Sequence, residues 1–324
     1  MNISKCIVLS LFAALSTAPA HGESFSTASS DNVQAFKNLD LSVTAGTTGI
    51  GLDVATPLNK NLQVRGGFAF MPHFHHTMNF DIQVGDQKES KYNEKGERVE
   101  TRFDRLAKYL KDFTGYEVDD EVDMIGKPTY YNFKLMLDWF PFRKKNWHFT
   151  AGAFIGNSRI AKAYNTTEDM PSLVAVGIYN NLYEKVLNEE PVFGNVELPP
   201  DICDKFMSYG RMGIHVGDHV SDGSPYMMEP DASSMVKASV KVNSFKPYVG
   251  FGYGSAISKD KKLHASFDCG TMFWGGTPQI ITHDGTNLAK DVRNIDGKVG
   301  DYVDLIKGFK VFPVINLRVT YRIF

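Results

Sequence analysis

The chain has 324 residues, with 35 Lys and Arg against 37 Asp and Glu, a formal net charge of -2. That balance gives no reason to expect a nucleic acid or an acidic partner. Aromatic residues make up 12 % of the chain and glycines number 28, which suits β-structure with tight turns and close backbone approach.

Residues 1–20 read as a cleaved secretory signal: Lys5 supplies positive charge, residues 7–15 form a short apolar run, and Ala18, Pro19 and Ala20 have the small-x-small form of a cleavage site. Cys6 precedes the apolar run, whereas a lipidated cysteine would follow it. Residues 21–37 are expected as a periplasmic leader, and 38–324 as one barrel domain. Beyond the signal, no segment approaches the ~18 apolar residues of a spanning helix. Cys203 and Cys269 remain after cleavage, and one disulfide between them is open in an oxidising compartment.

From residue 38 onward the dominant signal is alternation. Leu39, Leu41 and Val43 alternate with Asp40, Ser42 and Thr44; after a "TT" turn, Ile50, Leu52 and Val54 alternate with Gly51, Asp53 and Ala55. "LQVRGGFAFM" places Leu62, Val64, Phe68 and Phe70 against Gln63, Arg65, Gly67 and Ala69. "YNFKLMLDWF" places Tyr131, Phe133, Leu135, Leu137 and Trp139 against Asn132, Lys134, Met136 and Asp138. In "WHFTAGAFIG", Trp147, Phe149, Ala151, Ala153 and Ile155 share a face. Leu263, Phe267, Cys269 and Phe273 oppose His264, Ser266 and Asp268, and the last strand sets Ile315, Leu317, Val319, Tyr321 and Ile323 against Asn316, Arg318, Thr320 and Arg322. Successive strand side chains point to opposite faces, so each segment has one apolar and one polar surface.

A soluble sheet turns such an apolar face inward; a membrane barrel turns it to lipid. The non-apolar face decides between them. It is mostly small residues and glycine, with Asp40, Asp53, Asp138 and Asp268 matched by Arg65, Lys134, Arg318 and Arg322. That composition suits a narrow lumen filled by ion pairs better than a face in water. The fold expected is therefore all-β, an antiparallel up-and-down transmembrane barrel of about eight strands: 38–46, 49–57, 62–71, 129–140, 147–157, 244–256, 263–274 and 311–324. Short links alternate with long segments near 72–128, 157–235 and 275–309, as periplasmic turns alternate with extracellular loops. Residues 234–242 also alternate and are read as an upward extension of the sixth strand, with a bulge near 243–245. Trp139, Phe140, Phe142 and Trp147 are expected as an interfacial girdle at one short turn.

Within the long segments, Phe103, Leu106, Leu110 and Phe113 space as one helical face, and "SLVAVGIYNNLYEKVL" reads as a second helix. These helices are expected to pack on each other or cap the barrel mouth. "MPHFHH" supplies His73, His75 and His76, and "GIHVGDHV" adds His215 and His219, a set able to bind zinc or copper if the two segments converge. The acidic run with Asp119, Asp120 and Asp123 lacks the glycine turn of an EF-hand, so a solvated charge run is the reading there. His264, Ser266 and Asp268 share a strand face and leave a lipid hydrolase open, although residues two apart on a strand are ~7 Å apart.

The stretches "AGTTGIGLDVATPLNKNLQVRGGFAFMP", "LMLDWFPF", "KPYVGFGYG", "FDCGTMFWGGTPQI" and "FPVINLRVTYRIF" resemble the small outer-membrane β-barrel proteins of Gram-negative bacteria, of the Bacteroidetes type, similar to an OmpA-like barrel without a periplasmic domain. The resemblance implies insertion into the outer membrane through a C-terminal aromatic signal at Tyr321 and Phe324, handled by the barrel-assembly machinery and surrounded by outer-membrane lipid. It implies no activity, because such a family is defined by its scaffold. The function expected is structural or surface-interacting, with an extracellular partner held by the loops, no cofactor and no catalysis. The alternatives are a narrow pore for small solutes, and a membrane-embedded hydrolase using His264 and Ser266.

Overall fold

The computed structural model describes residues 38–323 except 60, 87–88, 142–145, 193, 195–198, 255–261 and 296. The expected signal and leader, Phe142 and Phe324 lie outside the described residues, as does the side chain of Phe113.

In chain order, β1 (Asp40–Gly46), β2 (Gly49–Pro57) and β3 (Leu62–Phe70) are followed by β4 (His76–Asp81), β5 (Gln83–Val84), α1 (Arg102–Thr114) and β6 (Glu121–Pro128). Next come β7 (Tyr131–Trp139), β8 (Trp147–Gly156), β9 (Arg159–Asn165), α2 (Met170–Leu187) and α3 (Pro200–Tyr209). Then β10 (Met212–His219), β11 (Pro225–Met228), β12 (Lys237–Lys241), β13 (Phe245–Tyr253) and β14 (Leu263–Met272) follow. The chain ends with β15 (Gln279–Thr282), β16 (Val292–Arg293), α4 (Gly297–Gly308) and β17 (Phe312–Arg322).

Eight of these strands close a barrel in the order β1-β17-β14-β13-β8-β7-β3-β2, every neighbour antiparallel. Closure pairs Asp40 with Arg322 and Gly46 with Asn316. Removing the sheet edges satisfies each strand's backbone within the wall, which a lipid surround demands. The face pattern is inverted relative to a soluble protein. Leu317, Phe133 and Leu263 are 64 %, 65 % and 61 % exposed, while Asp53, Asp138 and Gln63 are fully buried. Eight strands leave an interior just wide enough for side chains, and glycine makes the room: a Cβ on Gly67 would sit 2.0 Å from Asp53 Oδ1. At the β1–β2 turn, Gly49 adopts φ +88°, and a Cβ there would meet the Phe70 carbonyl oxygen at 2.1 Å.

One rim carries Asp40 at the start of β1, Arg322 at the end of β17 and the link from β2 to β3. There Trp139 and Trp147 face outward, with Trp147 edge-on to Tyr253 at 5.2 Å between ring centroids. Phe140 is not part of that girdle. It is 6 % exposed and turns inward against His148, because the alternation of β7 runs on past Trp139 and puts residue 140 on the same face as Asp138.

The opposite rim carries a folded domain rather than loops. Above the wall order β14-β13-β8-β7-β3, a five-stranded sheet repeats the same chain order as β15-β12-β9-β6-β4. Each wall strand thus continues upward after a break at 71–75, 129–130, 157–158, 242–244 or 273–278. Residues 234–242 continue β13 upward as expected, but as a separate strand: β12 is hydrogen-bonded to β9 and β15, and a break at 242–244 falls where the bulge was expected. A second sheet has the order β11-β10-β16, with β5 on β10.

These layers enclose their own apolar core, including Phe103, Leu106 and Leu110 of α1, Leu173, Val176 and Tyr179 of α2, Val122, Met212, Val216 and Val236. Helix α1 starts where Thr101 and Asp104 form a reciprocal capping box and ends at Gly115 in the left-handed conformation. Helix α2 is fixed to the second sheet by Asn180, whose amide donates to the Met212 carbonyl at 2.7 Å and accepts from the Met212 N–H at 2.8 Å. That pair satisfies two buried backbone groups at the start of β10.

Candidate functional site

Two places concentrate chemistry: the lumen, and a chamber in the outer domain above it. Six of the eight charged residues expected in the lumen meet there. Asp53 bonds Lys134 at 2.8 Å and lies 3.5 Å from Arg65. Arg65 reaches Asp138 at 3.0 Å and Asp268 at 3.4 Å. Arg318 joins Asp268 at 3.4 Å and Asp138 at 3.7 Å, and its Nε donates to Ser266 at 2.8 Å. Three carboxylates therefore face three cations, so no net charge is stranded in low dielectric. Asp40 and Arg322 form a separate pair at 3.1 Å near the chain ends.

Alternation also brings in residues that charge matching alone passed over. His148 Nε2 lies 2.8 Å from Asp268, and the Thr150 hydroxyl donates to Asp138 at 2.7 Å. Lys246, fully buried nearer the outer domain, donates to Asn132 Oδ1 at 2.9 Å and to two backbone carbonyls. The signal for all three was present, since each alternates with outward aromatic or aliphatic neighbours. Towards the outer domain, an apolar plug of Tyr130, Met136, Phe154, Tyr248, Met272, Trp274 and Val314 packs across the lumen. Ion pairs and apolar side chains share the lumen, with Met136 and Phe154 of the apolar cluster in register with Arg65 and Lys134.

The other candidates remain apart. Ser266 accepts from Arg318, while neither ring nitrogen of His264 has a hydrogen-bond partner. Those two residues do not form the connected pair that a nucleophile needs. His73 and His75 are exposed in the 71–75 segment, and His76 in β4 bonds Tyr302. His215 and His219 lie on β10 in the other sheet, with the His219 ring against Tyr226. Among the described residues, no group of three His, Cys, Asp or Glu side chains is arranged to hold a metal. Cys203 on α3 and Cys269 in the wall strand β14 are not joined to each other.

The chamber lies on the inward face of the five-stranded sheet. Parity places it there: Val242 packs on the lumen plug, and Val240 and Ala238 above it line the cavity. Helix α4 closes the other side with Val299, Tyr302, Val303 and Ile306, giving a cavity of about 320 Å³. Its volume falls in the range of small-molecule sites, and its lining is almost wholly apolar.

A charge clip braces this domain at the edge of β4 and β6. Lys91 binds Asp81 at 2.7 Å and Asp120 at 3.0 Å, and Arg98 binds Asp104 at 2.8 Å and Asp120 at 2.9 Å. The acidic run is thus tied to cations. Burial favours the protonated form of Asp120, but Lys91 and Arg98 outweigh it and hold its carboxyl below the ordinary value. Asp104 is likewise lowered, against burial, by Thr101 and Arg98. A carboxylate lowered in the folded state stabilises the fold above its unfolded value and loses that contribution as pH falls through the folded one. The segment around residues 89–101 is therefore expected to lose amide exchange protection below about pH 4, while the barrel strands keep theirs. Equal protection at pH 6 and pH 3 would show that the clip does not hold the segment.

No family model matches the chain. No curated protein matches it. Among solved structures it is similar to Acinetobacter baumannii CarO2, at 13 % identity over 89 % of this chain and 99 % of that one, with a TM-score of 0.37. It is similar also to Acinetobacter baumannii CarO, at 12 % identity over 88 % and 97 %, TM-score 0.35. A third is a major outer membrane protein from Thermus thermophilus, at 12 % identity over 88 % and 98 %, TM-score 0.30. Likenesses at this level establish neither function nor substrate; what the chain is rests on its own closed, eight-stranded, antiparallel barrel.

Proposed function

We propose that the protein is a non-conducting outer-membrane barrel that anchors a binding domain at the cell surface, and that the chamber under α4 takes a small apolar molecule. The membrane seat is supported by a closed wall with aliphatic and aromatic side chains outside and ion pairs inside. The long segments all rise from the rim opposite the chain ends, the arrangement of outer-membrane barrels with their loops outside. The observation that carries the reading is a lumen occupied by ion pairs and a packed apolar cluster beneath an apolar cavity of about 320 Å³. A pore needs the first to be open, whereas a binding protein needs only the second.

The test uses the mature chain refolded into planar bilayers and into phosphatidylcholine nanodiscs. Silence is expected in the bilayer, with folding verified by a heat-sensitive gel shift. In nanodiscs a fluorescent naphthylamine probe is expected to bind saturably, and Ala238→Trp to weaken it by about tenfold or more by filling the cavity. Discrete conductance steps would restore the pore reading. Identical probe binding by wild type and Ala238→Trp would remove the chamber as the site.

A further inference from the structure

The face of the five-stranded sheet turned away from α4 is basic, and two of its lysines, Lys127 and Lys162, also border the chamber. Parity carries the outward face of β7 and β13 up into this sheet, and a register shift in β9 between Arg159 and Ala161 brings Lys162 onto the face of Arg159. Below the breaks it shows Tyr131, Ile155 and Phe245, all about half exposed or more. Above them it shows Lys127 on β6, Arg159 and Lys162 on β9, and Lys237 and Lys241 on β12. The registers set these residues side by side: Lys127 opposite Lys162, Lys162 opposite Ser239, and Arg159 opposite Lys241. Lys127 and Lys162 both lie over the ring of Tyr164, at 4.9 and 5.4 Å from its centroid.

Among the described residues, no carboxylate neutralises the lower part of this face. Lys237 pairs with Asp231 at 2.6 Å. Lys127, Arg159, Lys162 and Lys241 have no carboxylate within ion-pair distance among the described residues. The remaining acids of β6, Glu121 and Asp123, lie at the strand's upper end. Like charges set in adjacent register repel each other, so four unpaired cations in one patch call for an anion from outside. The surface is also concave: a groove of about 400 Å³ is lined by Arg159, Lys162, Tyr164, Lys237, Ser239 and His283.

Position selects the anion. Lys127, Arg159 and Lys241 stand four residues above Tyr131, Ile155 and Phe245 respectively. Four residues span about 13 Å of strand, or about 10 Å of height at the tilt of a barrel strand. The polar layer on one side of a bilayer is roughly 5–7 Å deep, and lysine and arginine stems reach several ångströms further toward it. These cations therefore meet the headgroups of the leaflet around the outer rim.

We infer that the outward face of the β6–β9–β12 sheet is a docking site for the phosphate groups of anionic lipid in that leaflet, with Lys127, Arg159, Lys162 and Lys241 as the phosphate-binding residues. Guanidinium and ammonium groups bond phosphate oxygens directly, and the lipid seats the outer domain on the membrane. This inference rests on the membrane reading above but not on the chamber.

The test titrates the full mature protein, folded in uncharged detergent, with bis-phosphorylated lipid A and with its dephosphorylated counterpart, and counts bound lipid by native mass spectrometry. Wild type is expected to prefer the phosphorylated form by about tenfold or more at low ionic strength, and to lose the preference as salt rises. Combined Lys127→Gln, Arg159→Gln, Lys162→Gln and Lys241→Gln abolishes the preference, while the control Lys205→Gln with Lys290→Gln retains it. A quadruple variant that keeps the preference overturns the site. Displacement of lipid by millimolar inorganic phosphate also overturns it, because the site would then belong to a soluble anion. The heat-sensitive gel shift reports barrel folding separately, so a failed membrane seat is distinguishable from a failed lipid site.

Discussion

Arg65→Met is expected to destabilise the folded barrel by about 3–5 kcal/mol, the cost of breaking a buried ion pair by removing one partner. Arg65 lies within 3.0 to 3.5 Å of Asp138, Asp268 and Asp53, so its loss leaves three buried carboxylates with Lys134 and Arg318. Methionine fills much of the same volume, which keeps the packing term small. Urea unfolding in phosphatidylcholine vesicles reads the change through Trp139 and Trp147, both on the lipid-facing surface. Adding Asp268→Asn removes one orphaned charge and should recover part of the loss. Conductance should stay absent in both variants, since the apolar cluster around Tyr130, Met272 and Trp274 keeps its packing. A loss below about 1 kcal/mol, the range of solvent-screened pairs, would mean that water reaches the network. The filled-lumen reading would then fail with it.

The wall was legible in the sequence because its rule is local. Alternation needs only adjacent residues: Leu317 against Arg318, Leu137 against Asp138. Each such pair states both which way it faces and, by its charge, what lies inside. His148 and Lys246 obey the same alternation, and only the search for matched charges left them out. Phe140 was misplaced because its aromatic character was read ahead of its parity: it follows the outward Trp139 and so faces inward with Asp138.

The outer domain was much less legible, because its pairings are short and remote. β5 and β16 are two residues each and carry no periodicity. The registers β4–β6 and β9–β12 join segments about forty or more residues apart, with helices inserted between them. β6 reads as an acidic run because its apolar members, Val122 and Met124, are few and its carboxylates are conspicuous. The helical face of Phe103, Leu106 and Leu110 was visible; the layer it packs on was not. Basic residues on β9 and β12 looked like ordinary polar positions until pairing brought them into one patch.

The separate outer core predicts separable unfolding. Leu173 is 2 % exposed in the first turn of α2, and Leu173→Ala is expected to cost the outer domain about 2–5 kcal/mol, the transfer loss plus the cavity left behind. Val176→Asp places an unpaired carboxylate at a fully buried position and should unfold that domain outright. Neither residue packs in the lumen cluster, and no strand of the closed wall contains either. The barrel's own hydrogen bonds and its lipid-facing surface are untouched. Val176→Asp should therefore still give the heat-sensitive gel shift of a folded barrel, while trypsin is expected to cleave the 157–235 segment faster than in wild type. The naphthylamine probe should lose its site, because α2 and the chamber share the core that includes Met124 and Ile280. If Val176→Asp instead abolishes the barrel's gel shift, the two cores form one cooperative unit. The wall would then depend on the domain above it rather than merely carry it.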